Sequence, residues 1–145
     1  ICKSAKLVLV GEGEKKSEII SYVNELKLDD DVLFLGIRND IIDLLMGFDI
    51  FLLPSLYEGL PFVCIEAQAA ALPMLVSDTV SKDVYITDLI YSMNLNVSDD
   101  LWANEINRIK QTNINRHDEL YQEQLRKKGY DLIKTIKMIE NDILK

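Results

Sequence analysis

Two glutamates, Glu58 and Glu66, are the residues of this sequence best placed to do chemistry. Glu58 lies in a loop after an apolar run that ends at Pro54, and Glu66 falls in the second turn of a helix predicted to begin near Pro61. Helical side chains lean toward the helix N-terminus, so both carboxylates can face the space in front of it. The free N–H groups and partial positive charge of that end attract phosphate, whereas carboxylates accept hydrogen bonds from sugar hydroxyls. The segment therefore offers partners for a sugar joined to a nucleoside diphosphate.

The simpler alternative is that Glu58 is an ordinary loop carboxylate and Glu66 an ordinary helix-surface residue. For Glu66 this alternative is weak, because the flanking segments 63–65 and 67–71 are mostly small or apolar. We expect that helix to be largely buried, and a carboxylate on it then needs a partner.

Other candidate sites carry less information. Gly11 and Gly13 follow a predicted strand, but Lys16 stands where a dinucleotide fingerprint needs its third glycine, so the segment is either a tight turn or a turn that also borders a ligand. The aspartates at 29–31 lack the spacing of a calcium loop and predict a solvated turn. His117, the one histidine, is predicted to be an exposed helix residue without a chemical role.

The elements that must position the glutamates alternate between strands and helices. Apolar runs bounded by glycine or proline predict strands, and a period of 3.6 residues predicts helices. The predicted strands are 6–10, 32–35, 49–53, 75–76 and a weak one at 95–97. The predicted helices are 14–28, 39–46, 61–71, 101–111, 117–128 and 130–144. This order favours an α/β fold, a Rossmann-like doubly wound parallel sheet with a helical C-terminal tail, which binds ligands beyond the carboxyl ends of its strands.

Length and charge exclude several classes of protein. The chain has 145 residues, one domain's worth, with 24 acidic against 16 basic side chains and a net charge of −8. That balance disfavours nucleic-acid binding, which depends on cationic groups. No run of residues is long and apolar enough to span a membrane. We also expect no secretory signal, because no basic segment followed by an apolar one is visible at the start of the sequence. With only two cysteines, Cys2 and Cys64, a reduced cytoplasmic setting is the simplest interpretation.

The segment from Pro54 to Ala67 resembles the E-x7-E signature of retaining GT-B glycosyltransferases, the family 4 or group 1 enzymes that use nucleotide sugars. Glu58 and Glu66 match its two glutamates. Further matching segments are 7–13, 34–38, 48–55 and 66–73. Residues 77–84 are similar to members that build bacterial capsular polysaccharides or exopolysaccharides. In one departure, Ala71 stands where the family has a glycine at the end of the helix, which implies a small cost in stability.

The resemblance implies roles for the matching residues. The glutamate at Glu66 binds the ribose hydroxyls, and Glu58 is the catalytic glutamate that faces the transferred hexose. Backbone amides near the helix start approach the sugar and the phosphates; these are the amides of Gly59, Leu60, Phe62 and Val63. The loop of Gly36, Ile37 and Arg38 borders the nucleobase. The substrate is a nucleoside-diphosphate sugar, with UDP-sugars favoured, and the family requires neither a metal nor another cofactor.

The resemblance also implies an organisation for the whole enzyme. Residues 1–145 would form a single donor-binding domain, a fragment that lacks the first strand and the N-terminal, acceptor-binding domain. The full-length enzyme would be a cytoplasmic hexosyltransferase, held at the inner membrane through the missing domain, with a glycan or lipid-linked acceptor. The fragment alone is expected to be inactive.

Two alternative functions stay open at the level of sequence. One is a non-catalytic nucleotide- or ligand-binding α/β module, and the other is a nucleotide-sugar epimerase of the same architecture. The missing strand would lie between the strands at 6–10 and 49–53. We therefore expect these two strands to pair directly, or a partner chain to fill the gap and form a homodimer, because unpaired buried backbone groups are costly.

Overall fold

The structure, a computed structural model, describes residues 5–131, which alternate between strands and helices. The strands are β1 (Leu7–Val10), β2 (Val32–Gly36), β3 (Phe51–Leu53), β4 (Met74–Ser77) and β5 (Ile90–Met93). The helices are α1 (Lys16–Glu25), α2 (Ile41–Gly47), α3 (Phe62–Ala69), α4 (Asp99–Lys110) and α5 (Leu120–Lys127), with a short 3-10 helix at Lys82–Val84. These residues form two compact units, an N-terminal unit that ends at Ile41 and a C-terminal unit that begins at Ile42.

The N-terminal unit is built on one parallel strand pair. Leu7 of β1 is level with Val32 of β2, and the loops beyond the two strands are joined by a hydrogen bond from the Gly11 N–H to the Gly36 carbonyl at 2.8 Å. At the other end, the Lys6 ammonium binds Asp31 at 2.8 Å, so the aspartate-rich segment is the solvated turn that the sequence predicts.

The C-terminal unit contains a parallel sheet in the order β3-β4-β5. All four residues of β4 are buried because this strand is central in the sheet. The buried side of α3 adds Cys64, Ile65 and Ala67 to this core. The predicted fold class, a parallel α/β architecture with flanking helices, is confirmed for the described residues.

Helix α3 ends on a residue with left-handed backbone geometry. Ala71 has φ +51°, and the N–H groups of Ala71 and Leu72 bind the carbonyls of Gln68 and Ala67 at 3.0 and 2.9 Å. These two bonds form a Schellman motif, in which glycine is the usual left-handed residue. Ala71 therefore occupies the conformation that its place in the sequence implies.

Two expectations about the elements are wrong, and a third is not tested. The weak strand expected at 95–97 lies instead at Ile90–Met93, because the Asn94 side chain accepts the Asn96 N–H at 2.7 Å and turns the chain. His117 is exposed, but it precedes helix α5 rather than lying in it, since Asp118 caps the Leu120 N–H at 2.9 Å. The helix expected over 130–144 lies almost wholly outside the described residues.

The direct pairing expected between the strands at 6–10 and 49–53 would join the two units, and it stays a prediction. In the described part of the chain β1 pairs with β2 and β3 pairs with β4, in two separate sheets. The alternative that a partner chain completes the sheet stays a prediction.

Candidate functional site

Glu58 lies in the loop between β3 and α3, where a neighbouring hydroxyl fixes its carboxylate. The Ser55 Oγ donates to Glu58 Oε1 at 2.5 Å, and the glutamate is half-buried. Ser55 follows Pro54 at the carboxyl end of β3, so the bond ties the catalytic candidate to the end of a strand. A loop side chain held in this way has one preferred orientation.

The carbonyl of Ser55 is held in turn by the end of the central strand. Ser77 Oγ donates to this carbonyl, Thr79 Oγ1 lies 2.7 Å from it, and the two hydroxyl oxygens are 2.9 Å apart. Sequence reasoning missed Ser55, Ser77 and Thr79. The available signal was their place directly after two strands, where parallel sheets assemble their sites.

Glu66 differs from Glu58 because no described residue hydrogen-bonds or pairs with its carboxylate. It is half-buried on α3, while Cys64, Ile65, Ala67 and Gln68 are buried. The predicted burial of this helix is thus confirmed, but the partner expected for its carboxylate is absent from residues 5–131. A half-buried carboxylate with open lone pairs is available to an external donor.

The first turn of α3, between the two glutamates in the sequence, leaves two backbone donors without a partner among the described residues. Pro61 stands at the N-cap in an extended conformation with no side-chain cap, and Cys64 N–H binds the Pro61 carbonyl at 3.0 Å. Among the described residues, no acceptor contacts the N–H groups of Phe62 and Val63. Such donors, at the positive end of a helix dipole, suit an anion.

The remaining residues predicted near the helix start form its exposed approach. Gly59 is exposed with open space around its Cα, while Leu60 and Phe62 keep much of their apolar surface in water. Gly59, Leu60 and Phe62 lie with both glutamates in one continuous segment, which runs from the loop after β3 into α3. A ligand at the helix start would cover this surface.

The pKa of the buried Cys64 thiol is raised by burial and by the charge of Glu58. Burial raises the pKa of Cys64 from 9.0 to about 12, and the negative charge of Glu58 adds to the effect. Cys64 is therefore a protonated, apolar member of the core rather than a nucleophile.

The predicted nucleobase loop belongs to the N-terminal unit. Gly36 has φ +63°, and a Cβ there would lie 3.1 Å from Glu12 Oε1, an oxygen that also binds Lys16 at 2.7 Å. Ile37 is exposed, and Arg38 is engaged by Asp40 through two hydrogen bonds. These bonds raise the pKa of Arg38 and lower that of Asp40. At this loop the Glu12 carboxylate thus lies against Gly36, Ile37 offers an exposed apolar side chain, and the Arg38 guanidinium is paired with Asp40.

The fold is that of the GT-B glycosyltransferases, as the solved structures similar to this chain show. WaaG, a glycosyltransferase involved in lipopolysaccharide biosynthesis, superposes with a TM-score of 0.69 at 19% identity, over 95% of this chain and 37% of WaaG. Anabaena Alr3699/HepE, solved in complex with UDP, gives a TM-score of 0.70 at 20% identity, over 96% of this chain and 40% of its own.

The chain belongs to the family called glycosyl transferases group 1, whose profile matches residues 2–132. It is 39% identical to the putative glycosyltransferase EpsF of Bacillus subtilis (strain 168) over 127 residues, 87% of this chain and 33% of EpsF. It is 43% identical over 72 residues to an Escherichia coli enzyme named UDP-Gal:alpha-D-GlcNAc-diphosphoundecaprenol alpha-1,3-galactosyltransferase, covering 49% of this chain and 19% of that enzyme. The family match is the one that the E-x7-E resemblance implies, and it does not favour the binding-module or epimerase alternatives.

The chain thus spans a third or less of these two relatives. Within residues 5–131, no helix has the length and apolar character needed to cross a membrane. The same residues contain no group of three or more metal-ligating side chains. The expectation that no metal is required stays a prediction.

Proposed function

We propose that this chain binds the nucleoside-diphosphate sugar of a retaining glycosyltransferase that transfers a hexosyl group. The observation that carries the proposal is Glu66, a half-buried carboxylate without a partner among the described residues, one turn inside a helix whose first N–H groups are free. Membership of the glycosyl transferases group 1 family supports the reaction class. The Escherichia coli relative is named for UDP-Gal, which supports a nucleotide sugar as the donor.

Each part of the donor then has a partner of suitable chemistry. The Glu66 carboxylate accepts hydrogen bonds from the two ribose hydroxyls. The Phe62 and Val63 N–H groups donate to the diphosphate, so the helix start supplies positive potential without a metal. Glu58, fixed by Ser55, faces the transferred hexose and stabilises the positive charge that develops on the sugar ring as the bond to the departing nucleoside diphosphate breaks.

For the nucleobase we assign a loop rather than single contacts, and for the acceptor we assign only its chemical class. Gly36, Ile37 and Arg38 border the nucleobase, with uridine favoured because the Escherichia coli relative is named for UDP-Gal. That relative is also named for a diphosphoundecaprenol acceptor. A glycan or lipid-linked acceptor, bound through the rest of the protein on the cytoplasmic side of the membrane, is therefore our proposal for the full-length enzyme.

Calorimetric titration of the full-length protein with UDP, GDP and ADP tests the proposed donor site. Glu66→Gln keeps the volume of the side chain but removes its charge. Charge-assisted hydrogen bonds contribute about 1.5–3 kcal/mol, so affinity for the preferred nucleotide should fall about tenfold or more. Glu58→Gln should leave that affinity within about twofold, because Glu58 faces the sugar that a free nucleotide lacks.

Glu25→Gln is the matched control, since it makes the same change on an exposed position at the end of α1. It should bind nucleotide like the unchanged protein. If none of the three nucleotides binds, or if Glu66→Gln and Glu25→Gln have the same affinity, the donor site is not here.

A further inference from the structure

We propose that Ser55, Ser77 and Thr79 are positioning residues that hold Glu58 in the orientation needed for sugar transfer. The proposal rests on the proposed function, since it deepens the role of Glu58. None of the three need touch the substrate; they act through the glutamate.

The first step is the direct bond to the carboxylate. Ser55 Oγ donates to Glu58 Oε1 at 2.5 Å, and Glu58 is three residues further along the chain. A hydroxyl bound to one carboxylate oxygen leaves the other free to face a ligand. Without this bond, the side chain of Glu58 could choose among several rotamers.

The second step is the fixing of Ser55 itself. Its carbonyl accepts Ser77 Oγ and lies 2.7 Å from Thr79 Oγ1. The parallel register explains why these groups meet: Leu53 is level with Val76, so the chain beyond β3 continues beside Ser77. The loop that carries Glu58 is thereby attached to the central strand of the sheet.

The three hydroxyl and carbonyl oxygens share only two protons. Ser77 and Thr79 each have one hydroxyl hydrogen, while three oxygen pairs lie within hydrogen-bond distance. Either both hydroxyls donate a hydrogen bond to the Ser55 carbonyl, or one hydroxyl donates to the other and the second donates to the carbonyl. In both arrangements the carbonyl stays bound, so loss of one hydroxyl weakens the support without removing it.

The end of β4 is rigid enough to serve as the anchor. Ser77 is fully buried, and the next residue is tied to β5 through the Asp78 N–H on the Met93 carbonyl at 3.0 Å. The Asn94 amide also donates to the Asp78 carboxylate at 2.8 Å. A continuous set of hydrogen bonds therefore runs along the carboxyl edge of all three strands and ends at Glu58. Sites supported in this way are held more accurately than sites on a free loop.

A purely structural role of these hydroxyls predicts a different result, because their loss would then lower stability without changing the rate of transfer.

The test uses the full-length protein and steady-state transfer from a UDP-sugar, with kcat, KM for the donor and UDP affinity measured separately. Ser55→Ala removes the donor to Glu58, Thr79→Val removes one support of the carbonyl, and Thr79→Ser restores it. Thr112→Val is the matched control: its hydroxyl also binds a carbonyl, that of Ile109 at 2.5 Å, next to the end of α4.

We expect kcat to fall about tenfold or more in Ser55→Ala and about threefold in Thr79→Val, because misorientation weakens only transition-state contacts. KM and UDP affinity should change less than about twofold, and Thr79→Ser should recover most of the loss. Thr112→Val should match the unchanged protein in kcat, and thermal unfolding shows whether each variant is folded.

Two outcomes would overturn the inference while leaving the proposed function intact. In one, Ser55→Ala has the kcat of Thr112→Val although the unchanged protein is active. In the other, Ser55→Ala loses UDP affinity as much as kcat, which would place Ser55 in donor binding rather than in orientation. A folded, unchanged protein that binds none of UDP, GDP and ADP and consumes no sugar derivative of them would instead overturn the proposed function and, with it, this role of Glu58.

Discussion

At the scale of single residues, the two glutamates differ in what holds them. Glu58 is fixed by Ser55, whereas the Glu66 carboxylate has no partner in the part of the chain that the structure describes. A group that is already bound suits a role in which orientation matters, and an unbound group suits a role in which a ligand supplies the donors. The two carboxylates of the E-x7-E pattern thus have different local chemistry although their residue type is the same.

Cys64 provides a pH-dependent prediction, because its thiol stays protonated in the folded chain. Its pKa is raised from 9.0 to about 12, first by burial and then by the charge of Glu58. The unfolded chain loses this proton at lower pH than the folded chain does. Stability from this group is therefore complete below about pH 9 and is lost as the pH rises toward 12.

Urea unfolding at several pH values between 8 and 10.5, followed by the fluorescence of Trp102, measures this effect. From about pH 9 upward, the 145-residue chain should lose up to about 1.4 kcal/mol per pH unit more than Cys64→Ala loses. In a Cys2→Ser background, the folded chain should also react with a thiol reagent only as fast as it unfolds. Equal pH slopes in the two proteins, or rapid labelling of folded Cys64, would show that the thiol is not buried as described.

At the scale of elements, one buried side chain joins α3 to the segment between β4 and β5. The Gln68 amide nitrogen donates to the carbonyls of Cys64 and Val84, each at 2.9 Å. Its oxygen accepts the N–H groups of Ile86 and Thr87 and the Thr87 hydroxyl, at 3.0–3.3 Å. Gln68 is fully buried, and its oxygen is the acceptor of the Thr87 N–H and hydroxyl, whereas the Ile86 N–H also binds the Val84 carbonyl at 3.0 Å.

Gln68→Met should therefore be strongly destabilising although it preserves the length of the side chain. It removes the acceptor of the Thr87 N–H and hydroxyl, at about 1–3 kcal/mol for each unpaired group, so we expect a loss of about 2–4 kcal/mol after local relaxation. Urea unfolding followed by Trp102 fluorescence gives the value. Gln122→Met, the same substitution on an exposed position of α5, is the control and should lie within about 0.5 kcal/mol of the unchanged chain. Equal stability of the two variants would contradict the role assigned to Gln68.

The ends of two helices allow a second prediction at this scale. Lys27 after α1 and Ala71 after α3 have φ values of +57° and +51°, a conformation that costs a residue with a Cβ roughly 1–2 kcal/mol. Lys27 is exposed, so Lys27→Gly should stabilise by about 0.5 kcal/mol after the greater freedom of glycine in the unfolded chain is subtracted. Ala71 is buried, so Ala71→Gly also loses a buried methyl group worth about 0.8 kcal/mol and should be neutral or worse.

Thermal unfolding followed by circular dichroism at 222 nm reports on the helices of both units and measures this difference. Lys27→Ala is the control at the exposed site, because it shortens the side chain while keeping the Cβ that strains the backbone. A midpoint for Lys27→Gly no higher than that for Lys27→Ala would contradict the strain argument.

At the scale of the whole molecule, local patterns predicted the elements better than the contacts between them. Apolar runs and glycine or proline boundaries located β1 to β4 and α1 to α3 within a few residues, because these signals are contained in the segments themselves. Arg116 shows what they do not contain: its guanidinium binds the carbonyls of Leu45, Phe48 and Ala70, at the ends of α2 and α3. Those partners lie 46–71 residues away in the sequence.

In the candidate site, too, the features within one segment were predictable and the contacts between segments were not. Its glutamates and helix start were predictable because they occupy one continuous segment with a recognisable spacing. Ser77 and Thr79 were not, since their contacts with Ser55 depend on how β3 and β4 align in the sheet. Which strands become neighbours is likewise a property of the whole sheet, because each strand alone is compatible with several strand orders.

The last prediction concerns what residues 1–145 can do without the rest of the protein. The chain spans a third of EpsF, and sugar transfer needs a donor and an acceptor held together in one closed site. Such orientation is worth about 7–11 kcal/mol at its upper end, and the net charge of −8 opposes the approach of a diphosphate. We therefore expect the 145-residue chain to bind UDP-sugars no more tightly than a dissociation constant of about 1 mM and to transfer no sugar. Calorimetry measures the binding and product analysis measures the transfer, each beside the full-length protein. Micromolar binding by residues 1–145, or any transfer by them alone, would contradict this prediction and show that the chain carries a more complete site than we propose.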